Sequence, residues 1–137
     1  MIRPLLAGAC LVSALLGCTA APAVAGQRYH ATELRPGDCI EPMPENAMVT
    51  VVPCSVPHAA EFATTYVIPN GPWPGSGEVV GLAAMGCGPK MRYVESRIGE
   101  AGATVIVPAE ADWPRYRTAY CLAVPFDGGK LVGRVIK

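Results

Sequence analysis

His58 and Glu61 stand three residues apart, and Cys54 lies four residues before the histidine. An imidazole, a carboxylate and a sulfur at that spacing are the components of a metal site or of an acid–base pair. A metal needs three or four ligands, and the chain's one other histidine is His30. The sequence holds no C-x-x-C, and its later cysteines are spaced 15, 33 and 34 residues apart, unlike a zinc site. An oxidised Cys54 has no thiolate to give. The reading preferred here is that His58 fixes the turn after Cys54 through hydrogen bonds, with Glu61 as its partner. No metal and no cofactor is expected.

Catalysis fares no better. A Cys–His hydrolase needs a reduced thiolate of low pKa beside His58. Ser55, Ser76 and Ser96 stand in no G-x-S-x-G context. Gly75-Ser76-Gly77 is too short for a phosphate loop and lacks its lysine. The expectation is a protein that is not an enzyme, with no catalytic residues.

The case against free thiols begins at the amino terminus. Arg3 precedes an apolar run from Leu5 to Leu16, about a dozen residues long. That is an export signal, and it is too short to span a bilayer, which takes ~20 helical residues. Two cleavage sites compete. Leu15-Leu16-Gly17-Cys18 is like a bacterial lipobox, in which Cys18 is diacylated and becomes the new amino terminus. Ala23-Val24-Ala25 is like an ordinary A-x-A site before Gly26. The first directly follows the apolar run and is preferred. Residues 1–17 are then a signal peptide that takes Cys10 with it, and residues 18–28 are a lipid-anchored, Pro/Ala-rich tether. Residues 29–137 are one domain on the outer face of the cell membrane, or secreted if the second site is used.

Four cysteines remain: Cys39, Cys54, Cys87 and Cys121. An even number in a small exported domain reads as a disulfide framework. Three pairings are possible. Cys39–Cys54 with Cys87–Cys121 is preferred, because the first closes a short excursion and the second ties a helix to a late strand. Removing Arg3 leaves ten basic residues against eleven acidic, a formal charge of −1. No basic stripe or RNA motif exists, so nucleic-acid binding has no electrostatic basis.

These residues need a scaffold, and the chain is rich in its signals. Arg35-Pro36-Gly37-Asp38 is a turn that delivers Cys39. Residues 41–46 (EPMPEN) are a Pro-broken loop. Residues 48–52 (MVTVV) and 61–68 (EFATTYVI) read as strands. Ser76 is expected to cap a helix carrying Leu82, Ala83, Met85 and Cys87 on an apolar face. A second helical stretch over 90–98 should follow, with Met91 and Val94 inward. Residues 103–107 and 117–126 read as strands, and Asp127-Gly128-Gly129 as a hairpin turn into a return strand over 131–136. The fold class expected is α+β: a small mixed sheet of about five strands with a broken helical hairpin and two disulfides.

Two surface features complete the inventory. Pro72-Trp73-Pro74-Gly75 offers a stiff backbone and a large amphipathic ring, which suits either recognition or a plug at the sheet edge. Arg117 has the charge to pair with a buried carboxylate, Asp38 or Glu61. His58, Glu61, Trp73 and Arg117 together are the candidate recognition surface.

The order of these signals resembles a known family. Gly37-Asp38-Cys39, Val52-Pro53-Cys54, Pro57-His58 and Glu61 come first. Pro69, Gly71 and Trp73-Pro74-Gly75 follow, then Ala84 with Cys87, Tyr93, and finally Trp113, Arg117 and Cys121. Over about Leu34 to Val124 the chain is similar to the septum-formation domain family of actinobacterial envelope proteins. The resemblance implies an extracytoplasmic domain behind a transmembrane helix or lipid anchor, a cell-division association, and no established catalytic chemistry. One departure is local: between Trp113 and Arg117 the chain is one residue shorter than the family's W-x-x-G-x-R, with Tyr116 near the glycine position. The functional expectation is a binding or scaffolding envelope lipoprotein linked to septum formation or cell-wall assembly. Its partners would be the membrane, through the anchor, and unidentified envelope or division proteins. The alternative is an extracytoplasmic lipoprotein that binds a small ligand or metal near His58, Glu61 and Trp73.

Overall fold

The structure, a computed structural model, describes residues 25–137. The expected signal peptide, Cys18 and most of the tether lie outside the described residues. Gln27 and Arg28, assigned above to the tether, belong instead to the first strand.

One six-stranded sheet organises the domain. Its strands are β1 (Gln27–His30), β2 (Cys39–Ile40), β3 (Met48–Val52), β4 (Ala60–Val67), β5 (Ala101–Ile106) and β6 (Thr118–Pro125). The spatial order is β1-β3-β2-β4-β6-β5, and every neighbouring pair is antiparallel. The sheet is therefore not mixed. β4 and β5 run the same way, as a crossover through a helix requires, but β6 lies between them in the opposite sense and separates the parallel pair.

That crossover carries α1 (Ser76–Cys87). Gly75, not Ser76, occupies its cap position. The helix buries Val79, Ala83 and Cys87, a row at spacing four, and leaves Met85 exposed. The expected second helix does not form. Short 3-10 turns at Gly88–Lys90 and Glu95–Glu100 flank an extended piece in which Tyr93 bridges Ile136. Gly88-Pro89 removes a donor and breaks the α-helical ladder at that point.

The carboxy-terminal segment is also not a return strand on β6. It crosses beneath the sheet and makes two isolated bridges, His58 with Leu131 and Tyr93 with Ile136. Its Leu131, Val135 and Ile136 fill the core under β4 and β6 beside Ala63, Ala101 and Ala123. The opposite sheet face carries Ile40, Val49, Ala60, Phe62 and Leu122. Both expected disulfides are present, Cys39–Cys54 and Cys87–Cys121. Among the described residues no helix is long and apolar enough to cross a membrane.

Candidate functional site

The sheet register brings the chemistry-bearing residues together. Cys39 on β2 is the direct cross-strand partner of Glu61 on β4, so their side chains project from the same face. The turn before Cys39 makes this exact placement possible. Gly37 adopts φ +92, its N–H donates to the Phe62 carbonyl at 2.7 Å, and the Phe62 N–H donates to the Asp38 carbonyl at 2.8 Å. Asp38 itself accepts from the Arg35 N–H, closing the turn. Cys54, two residues past β3, returns to meet Cys39 across 5.2 Å between Cα atoms.

His58 sits over this bridge. Its backbone exchanges hydrogen bonds with Leu131, each 2.9 Å long, and its Nδ1 lies 2.8 Å from the Val56 carbonyl. The side chain thus fixes the turn after Cys54, as expected. Glu61 is not its hydrogen-bond partner. The Glu61 carboxylate accepts from the backbone N–H groups of Val135, at 2.6 Å, and Ile136, at 3.1 Å, and Arg134 Nε approaches to 3.6 Å. One buried carboxylate therefore anchors Val135 and Ile136, while the His58 backbone holds Leu131 and the Cys54 carbonyl accepts from the Gly133 N–H at 2.6 Å. Both His58 and Glu61 are 0 % exposed. Neither belongs to a recognition surface, because the terminal segment covers them.

Cys39, His58 and Glu61 each present one donor atom within 4.8 Å of the others. With Cys39 oxidised, its sulfur is not a thiolate, and the cluster has two metal donors at most.

The remaining two candidates, Trp73 and Arg117, both lie by Ile68. Trp73 is half-buried, packs on the cluster of Ile68, Val79, Ala83 and Ala119, and meets Trp113 edge-on with ring centroids 5.5 Å apart. Trp113 Nε1 donates to the Gly71 carbonyl at 2.8 Å, which ties the Pro-rich loop to the turn before β6. Trp73 is thus a plug at the end of the sheet. Arg117 donates to the Ile68 carbonyl and meets neither Asp38 nor Glu61. The cation beside Glu61 is Arg134, whose guanidinium occupies the space that a Cβ at Gly37 would fill. Nothing in the local sequence marks Arg134: it reaches Glu61 only because the chain after Gly129 runs under the sheet.

A second feature lies on the opposite face. An open groove of about 980 Å³ runs between the loop holding Met43 and Asn46 and the ends of β5 and β6. Its walls are mostly apolar, with Ile106 and Tyr120 among them, and its rim carries His30, Glu45 and Asp112 but, among the described residues, no lysine or arginine. Burial pushes the Tyr120 phenol above its ordinary pKa. Sequence reasoning missed this groove because its residues come from three separated segments, and only the sheet's order assembles them.

Set beside known proteins, the chain matches no family description, no curated protein and no solved structure.

Proposed function

We propose that this chain is a non-enzymatic binding or scaffolding domain of the bacterial envelope, working outside the cytoplasm and held to the membrane through acylated Cys18. The observation that carries this reading is the pair of disulfides built into the sheet. Cys39, Cys87 and Cys121 are wholly buried. A fold stapled this way matures where thiols are oxidised. The export signal and lipobox point the same way. The exclusion of enzyme chemistry is supported by where the reactive groups are spent: four sulfurs in bridges, one carboxylate on two backbone N–H groups. The link to septum formation or cell-wall assembly rests on the family resemblance of the cysteine, Pro-His and Trp motifs.

Intact mass of protein extracted from membranes tests the anchor. The expected species begins at a diacylated Cys18. A mature chain beginning at Gly26 replaces the anchored protein with a secreted one. Thiol labelling without reductant should modify none of the four later cysteines. A fluorescent fusion to the exported chain should concentrate at division septa, and uniform envelope staining would remove the division link.

The groove favours a second reading, a lipoprotein that takes a small ligand. Its volume is in the range of small-molecule sites. An apolar lining with an acidic rim suits an apolar or cationic occupant and disfavours phosphates and carboxylates.

A further inference from the structure

Among the described residues, His58 Nε2 is the buried side-chain polar atom left without a hydrogen-bond partner. Its orientation is fixed from the other side of the ring. The Val56 carbonyl only accepts, so Nδ1 donates to it, and Nε2 is the ring nitrogen left to take an ion. Metal-binding histidines are held in this manner, one nitrogen on a carbonyl and the other free for the ion. His58 clusters with Cys39 and Glu61, one donor atom of each lying within 4.8 Å of the others, and Cys54 is bonded to Cys39.

We propose that the Cys39–Cys54 disulfide masks a metal site, and that its reduction frees Cys39 and Cys54 to bind one zinc-class divalent ion together with His58 and Glu61. Two thiolates, an imidazole and a carboxylate form a four-coordinate set of the borderline-soft kind that zinc takes. Around such an ion, donor atoms stand roughly 3.3–3.8 Å apart. The present cluster needs to contract by about 1 Å, and the two sulfurs need to part. Each oxygen of Glu61 accepts one backbone N–H and keeps a second lone pair. Three anionic ligands and a dication leave one negative charge, which Arg134 faces.

The two bridges differ in access. Cys54 is half-buried, whereas Cys39, Cys87 and Cys121 are 0 % exposed. A dithiol reductant therefore reaches Cys54 first. Its thiolate attacks Cys54 Sγ, the S–S bond breaks, and the electron pair leaves on Cys39 Sγ. The reductant's second thiol then attacks its own sulfur in the mixed disulfide and releases Cys54. The protein gains two electrons and two protons, and the dithiol becomes its own disulfide. The incoming ion displaces both thiol protons to solvent.

Cobalt(II) alone, added anaerobically to the whole chain, tests the proposal. Protein mildly reduced by dithiol, with Cys87–Cys121 shown intact by mass mapping, should bind one cobalt per chain with a tetrahedral visible band and a thiolate charge-transfer band. The oxidised protein should bind none. His58→Gln should weaken binding tenfold or more in the reduced chain. Cys54→Ser frees the Cys39 thiol with no reductant present and should give a weaker band with the same charge-transfer feature. The proposal is overturned by a colourless reduced protein, by equal uptake in His58→Gln, or by a folded Cys54→Ser chain that stays colourless.

Discussion

The two disulfides lie on the same face of one sheet and do different work. Cys87–Cys121 joins the end of α1 to the middle of β6 and is surrounded by Ala63, Met91, Ala101, Ala123 and Leu131. Cys39–Cys54 joins β2 to the loop after β3 and shares its space with an imidazole and a carboxylate. In the loop-entropy account the two are close, ~3.8 kcal/mol for a separation of 34 and ~3 kcal/mol for 15. The difference is in the neighbours. The apolar bridge is a staple whose surroundings would pack around any filler of its volume. The polar bridge belongs to a network in which Glu61 holds the last residues of the chain, so its region fails through unpaired N–H groups more than through lost chain constraint.

The largest effect should therefore come from Glu61, not from a cysteine. Glu61→Leu strands the buried N–H groups of Val135 and Ile136 and leaves Arg134 without its partner. The expected loss is about 4–5 kcal/mol in urea unfolding, given ~1–3 kcal/mol per stranded group and the loss of bonds to a charged acceptor. Amide exchange should show residues 131–137 released first. A loss below that of the bridge would mean that the terminal segment is held by its apolar packing and its other backbone hydrogen bonds, not by the carboxylate. The paired Cys87→Ala, Cys121→Ala change should follow, at ~3.8 kcal/mol, with little redistribution of local exchange.

This contrast explains what could be read from the sequence. The pairing present is the one preferred among the three that the sequence permits, because it closes a short excursion and ties the helix to a late strand. Two strands were legible as well, expected over 48–52 and 61–68 and found at Met48–Val52 and Ala60–Val67, since β-branched runs beside prolines mark them. The first strand and β2 were not. Gln27–His30 has no apolar alternation, and Cys39–Ile40 is two residues long, so the first exists only through its partner β3 and the second through its partners β3 and β4. The terminal segment looked like a hairpin strand because its local residues are those of a strand. Glu61, 70 and more residues upstream, takes its N–H groups instead. Arg134 and the groove share that origin in long-range topology.

Near the apolar bridge, glycine decides how closely helix and sheet meet. A Cβ at Gly86 would collide with the Tyr66 ring, while one at Gly81 on the same helix meets nothing within 4 Å. Gly86→Ala should cost about 1–3 kcal/mol through displacement of Tyr66. Gly81→Ala should stabilise by ~0.5–1 kcal/mol, the ordinary gain in a helix interior. Equal melting shifts for the two variants would mean that α1 does not press on β4 at Tyr66.

The smallest effect concerns a surface pair next to the terminal segment. Arg97 donates to the Val132 carbonyl at 2.8 Å and the Arg134 carbonyl at 3.1 Å, and pairs with Glu100. That hydrogen bond holds the Glu100 carboxyl below its ordinary value of 4.5. A carboxyl lowered in the folded state contributes stability that is present above its unfolded pKa and lost as pH falls through its folded one. Unfolding midpoints should therefore decline slightly below pH 4.5, and Glu100→Gln should flatten that part of the profile. The pair is exposed, so solvent and salt should erase most of the difference. Arg97→Met should do more than Glu100→Gln at every pH, because it also removes two bonds to the segment that Glu61 anchors. If the two variants behave alike, the guanidinium's contacts with the terminal carbonyls contribute nothing to holding the chain end.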